Sequence, residues 1–173
     1  MAKVETTHDA LTHENVNTGL DVEKRGGVVD ALNQLLADEF VLYTKTRKYH
    51  WNVVGPRFHD LHIFFEKQYE QLDEIMDEVA ENARQFGGIA LGTLAEFGKT
   101  TRLKEEPGVN PDADTMVKNL LADHETIARE LREDIEKADE EFDAADAADF
   151  LTSILEAHNK MAWMLRSFTV KQI

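Results

Sequence analysis

Apolar residues recur at every third or fourth position along most of this chain, the spacing that keeps them on one face of an α-helix. The first such run follows Gly26-Gly27 and covers about 28–53, with Val29, Leu32, Leu35, Leu36, Phe40 and Tyr43 in one stripe. Gly55-Pro56 breaks it. A second run spans about 58–86, carries Leu61, Phe65, Leu72, Ile75, Val79 and Phe86, and meets Gly87-Gly88, a helix stop. Residues 89–109 leave room for one short helix, about 93–97. Asn110-Pro111-Asp112 opens a third run, as a cap, a first-turn proline and an early acid, and the helix continues to about Ala138. A fourth begins near Asp143 or Asp146 and reaches about Lys171. Strand alternation and internal repeats are absent. The pattern predicts an all-α chain: a four-helix bundle with a short extra helix in the crossover between helices two and three. Residues 1–20 carry no period and read as a flexible tail, so the expected division is 1–25 tail and 26–173 bundle.

Composition narrows the chemistry. A chain of 173 residues is one domain with a full core. It has no cysteine, so disulfides, thiolate zinc sites, iron–sulfur clusters and cysteine nucleophiles drop out. A metal here must be held by His, Asp and Glu, which favours iron, manganese or zinc. No signal peptide or membrane-length apolar run is visible, so the cytoplasm is the expected location. The 34 acids against 19 Lys plus Arg give a net charge of −15. Such a surface repels phosphate backbones and anionic lipid and attracts cations. It also suits a salt-rich, halophilic cytosol, where screening suppresses self-repulsion.

The charge is not evenly spread. His62, Glu66, Glu70, Asp73, Asp77 and Glu81 form a second stripe on helix two, beside the apolar one. A solvated face usually interleaves Lys with Glu for i,i+4 pairs; this stripe has no base, and its self-repulsion falls only if cations bind. His50, near the end of helix one, lies within reach of His62 across the Gly55-Pro56 turn. His62 and Asp77 are 15 residues apart on one helix, roughly 22 Å at 1.5 Å per residue. One ion cannot be held from both places. If His50, His62, Asp77 and Glu81 serve one site, two copies of the chain must build it, with the two helices antiparallel. The Glu-x-x-His pairs of an ordinary intramolecular di-iron bundle are missing, the only match being Glu5–His8 in the tail.

The run Tyr49-His50-Trp51-Asn52-Val53-Val54-Gly55, then Phe58, Leu61-His62, Phe65-Glu66, Tyr69, Asp77-x-x-Ala80-Glu81 and Gly87-Gly88, closely resembles the Dps proteins, the miniferritins. Trp163-Met164-Leu165-Arg166 extends the likeness, which covers about 28–172. The resemblance implies a ferritin-like hollow dodecamer with ferroxidase sites at two-fold interfaces. It implies oxidation of Fe(II), preferentially by hydrogen peroxide, and storage of ferric mineral inside. Carried over, His50 and His62 come from one subunit and Asp77 and Glu81 from its neighbour. Glu66 stands at a position that is often Asp in the family. Trp51 is placed to pass an electron and quench radicals, or to pack at the dimer interface. Glu70, Asp73 and Glu74 are candidates for nucleating mineral on the inner wall. Asp143, Asp146 and Asp149 serve either as helix caps that favour the dipole or as an acidic three-fold pore drawing iron in.

Some relatives bind DNA through a Lys-rich tail, but here Lys3 is the only lysine before position 24. Phosphate contacts also weaken steeply with salt, so little direct DNA binding is expected. The family's common Arg after the last ligand is Asn82. The alternatives are a DNA-compacting structural protein of the same fold and a helical interaction module without metal chemistry. The module would leave the base-free stripe and paired histidines without a role.

Overall fold

The computed structural model describes Leu11 and residues 15–170. Four long helices, α1 (Val22–Asn52), α2 (Phe58–Gln85), α4 (Ala113–Glu136) and α5 (Ala145–Ser167), form the bundle, and a short α3 (Leu94–Thr100) lies in the crossover. α1 packs chiefly on α2 and α4 on α5, two hairpins that join along their apolar faces. Leu32, Leu61, Phe65, Leu120, Leu131 and Leu151 are each at most 1% exposed and anchor the core. Every such side chain contributes about 1.5–3 kcal/mol. An isolated antiparallel bridge joins Leu11 to Gly88, and no strand occurs among the described residues. The expected bundle with its short crossover helix is the observed one.

Element ends differ from the sequence reading in instructive ways. Gly26-Gly27 lies inside α1, because Asp21 caps the helix five residues earlier by accepting from Lys24 N at 2.9 Å. Gly27 allows the Phe142 ring to lie against α1, since a Cβ there would stand 2.4 Å from the ring. Thr93 and Glu96 form a full capping box that starts α3. Asp112, not Asn110, caps α4, accepting from Thr115 N at 2.8 Å. α4 runs into a π-helical turn, Lys137–Glu141, and Asp143 follows in the left-handed region at φ 55°. α5 begins at Ala145 after Ala144, whose side chain makes no cap bond. Asp143 therefore does not cap α5; it pairs with Lys24 at 3.3 Å.

Polar side chains of α1 hold the crossover down. Asn33 donates to Ile89 O and accepts from Leu91 N, both at 3.0 Å. Asp38, 1% exposed, accepts from Thr101 Oγ1 at 2.8 Å and from Arg102 N and Nε at 2.6 and 2.7 Å. Arg102 also reaches Glu130 at 2.7 Å and Asp134 at 3.5 Å. One guanidinium thus fastens crossover, α1 and α4 together.

Candidate metal centre

The turn between α1 and α2 positions the histidines. Val53 N bonds Tyr49 O at 2.9 Å, Gly55 adopts φ 104°, and Phe58 N bonds Gly55 O at 3.0 Å. That reversal lays the His50 and His62 rings against each other, centroids 3.8 Å apart and planes 20° from parallel. His50 Nδ1 sits 2.8 Å from His62 O, and His62 Nδ1 sits 2.9 Å from His50 O. A carbonyl only accepts, so each Nδ1 carries the proton. Each Nε2 is then a bare lone pair with the ring orientation fixed from behind, the arrangement a metal-ligating imidazole uses. His50 is 7% exposed and His62 half-buried.

Aromatic residues wall this pair. Tyr69 meets the His50 ring edge-on at 5.2 Å, and Phe58 lies 5.1 Å from His62. The Tyr69 hydroxyl donates to Glu66 Oε1 at 3.4 Å, one turn after His62. Burial, with Glu66 second, pushes the Tyr69 hydroxyl above its ordinary value. The Arg47 guanidinium lies over the rings of Tyr69 (5.0 Å), Tyr43 and Trp51 (both 5.6 Å) and bonds the Tyr43 hydroxyl. Trp51 is 66% exposed, with its indole turned outward.

The carboxylates lie elsewhere. Asp77 and Glu81 are exposed on the far half of α2, and Asp73, Glu74 and Asp77 rim a shallow groove floored by Leu36, Phe40 and Phe97. Glu70 is exposed on the same helix, and Asp143, Asp146 and Asp149 are exposed at the start of α5. Among the described residues of a single chain, no three His, Asp or Glu side chains are placed to hold one metal ion. Each chain thus holds His50 and His62, with Glu66 one turn on, at the start of α2, and Asp77 and Glu81 toward its other end. Lys3, Glu5 and His8 lie outside the described residues.

One polar cluster escaped the sequence reading. Glu39, His124 and His158 are fully buried and hydrogen-bonded to one another in the bundle core. The signal was present: each occupies an apolar-stripe register position, as in Leu120-x-x-x-His124-x-x-Ile127 and Leu151-x-x-Ile154-x-x-x-His158. A polar residue in that register is buried, and a buried polar residue needs a partner.

Comparison with known proteins agrees with the fold. The ferritin-like domain family matches residues 29–172. A low temperature-induced protein of Nostoc sp. is 47% identical over 153 residues, 88% of this chain and 86% of that protein. DNA protection during starvation protein 2 of Bacillus anthracis is 35% identical over 141 residues, 82% of this chain and 95% of that protein. The crystal structure of the Dps protein of Vibrio cholerae, described as a ferritin-like diiron-carboxylate protein, superposes with a TM-score of 0.84 at 27% identity, covering 92% of this chain and 99% of that one. With a ferritin-like match across nearly the whole bundle and Dps relatives of full length, the chain belongs to the Dps family of ferritin-like proteins.

Proposed function

We propose that this protein oxidises Fe(II) at sites shared between two copies of the chain and stores the ferric product inside a closed homo-oligomeric shell, a dodecamer. Membership of the family supports iron storage or DNA protection in general. The observation that carries the finer reading is the His50–His62 pair, whose two Nε2 atoms belong to no metal-holding group of three among the described residues of their own chain. An antiparallel α2 from a second copy supplies Asp77 and Glu81, with Glu66 as the near carboxylate. Two nitrogens and several oxygens suit iron bound weakly enough to turn over. Hydrogen peroxide is the proposed oxidant: two Fe(II) each give one electron, the O–O bond breaks, and two Fe(III) and two hydroxide ions result. Trp51 is the outward relay for a stray electron, Glu70, Asp73 and Glu74 seed mineral, and Asp143, Asp146 and Asp149 line an entry pore. No described helix is long and apolar enough to cross a membrane, and the cytoplasm remains the proposed location. A net charge of −15 argues against direct phosphate contact.

The test is subunit complementation. His62→Ala and Asp77→Ala should each slow peroxide-driven Fe(II) oxidation by about 10- to 100-fold or more while assembly, read by light scattering, stays intact. In a mixed dimer one site carries both lesions and the other carries neither. Co-refolded mixtures should therefore regain activity toward half of the mixed sites. Mixtures as inactive as the parents would sink the shared-site reading.

A further inference from the structure

Three ionisable side chains from three helices form a hydrogen-bonded chain at the centre of the bundle. Glu39 of α1, His124 of α4 and His158 of α5 are each 0% exposed. Glu39 Oε1 lies 2.6 Å from His158 Nε2, and His158 Nδ1 lies 2.9 Å from His124 Nδ1. The two ends of the chain, Glu39 Oε2 and His124 Nε2, have no hydrogen-bond partner. α2 contributes Gln68, uncharged and buried, which donates to Met161 O at 3.4 Å. Burial first and His158 second hold the His124 imidazole well below its ordinary basicity.

Proton bookkeeping fixes what this chain tolerates. A nitrogen–nitrogen contact of 2.9 Å needs one donor and one acceptor. With Glu39 ionised and both imidazoles neutral, His158 donates from Nε2 to the carboxylate and His124 donates from Nδ1 to His158. The bare atom is then His124 Nε2. One added proton is absorbed without loss. It enters at His124 Nε2, the Nδ1 proton shifts across to His158, and the new imidazolium donates to both neighbours. The buried negative charge of Glu39 is cancelled and both bonds survive. A second added proton leaves net positive charge in the core wherever it sits: at His124 it sets two N–H groups face to face across the Nδ1–Nδ1 contact, and at Glu39 Oε2, the other unpartnered end, it removes the anion that balanced the imidazolium.

We propose that Glu39, His158 and His124 form a proton-counting switch that keeps α1, α4 and α5 closed with zero or one bound proton and opens the α4–α5 seam on the next. The direction follows from linkage. An exposed His124 in the unfolded chain takes its proton near pH 6.5, above the buried one. Stability is therefore full above that pH and falls as pH drops below it, about tenfold in the folding constant per unit for one proton. The loss ends only when the folded His124 itself titrates.

Hydrogen–deuterium exchange of α4 and α5 amides from pH 7 to 5, corrected for the intrinsic pH dependence of exchange, tests this in the full chain. The wild type should lose protection in these two helices with the slope of about one proton. His124→Gln retains an N–H for His158 Nδ1 and binds no proton, so its profile should flatten. Glu39→Gln removes the charge that makes the first proton welcome, so its seam should open at higher pH than the wild type. A packing defect would move both variants the same way, and that result overturns the proposal. A flat wild-type profile overturns it without any variant.

Discussion

Arg102 shows how much one side chain decides when its partner is buried. Its Nε neutralises Asp38, which is 1% exposed, while Nη1 meets Glu130, whose side chain is 36% exposed. Removing one partner of a buried pair strands a charge, whereas an exposed partner is replaced by water. Arg102→Met should cost about 3–5 kcal/mol in urea unfolding, and Glu130→Ala under about 1 kcal/mol. Equal losses would mean that Asp38 finds another cation. At this scale the sequence showed His50 and His62 as ligand types separated by a turn. It did not show which ring nitrogen is free, because that depends on carbonyls His62 O and His50 O meeting the rings in three dimensions. Nor did it pair Glu39 with His158, 119 positions away.

Elements were legible where local chemistry sets them and misplaced where a distant contact intervenes. Thr93-x-x-Glu96 marks its own helix start, since a cap is satisfied within three residues, while the cap of α4 is Asp112, two residues past the Asn110 that the sequence pattern pointed to. Gly26-Gly27 looked like the entrance to helix one. Its role is instead clearance for Phe142, which follows the π-helical turn more than a hundred residues later. Gly27→Ala should therefore change sign with its neighbour. With Phe142 in place the ring must move and thermal stability should drop, by about 1–3 kcal/mol. In a Phe142→Ala background the same change should stabilise by up to about 1 kcal/mol, through helix propensity alone. A double-mutant cycle on melting temperatures reads both arms, and the same sign in each would remove the clearance role.

The whole molecule carries −15 on 173 residues, and the proposed shell brings twelve such chains together. Repulsion between copies is long-ranged at low salt and largely screened within about 3 Å at 1 M. Assembly should therefore strengthen with salt. Light scattering at fixed protein concentration should give a larger assembled fraction in 1 M than in 0.05 M salt. The reverse order would mean that attractive ion pairs between copies outweigh the net charge.

The sequence by itself determined the helical class, the bundle with its crossover helix and the ligand-type side chains. Periodicity, caps and residue chemistry are local properties that survive without knowing where the helices go. It also determined a negative: at 1.5 Å per residue, His62 cannot share an ion with Asp77 or Glu81 of the same α2. The tertiary structure decided the rest. It turned two histidines into a stacked, back-bonded pair, joined α1, α4 and α5 through three buried ionisable groups, and set Phe142 against Gly27. Those features depend on contacts between residues far apart in the chain, and such contacts exist only once the helices are packed.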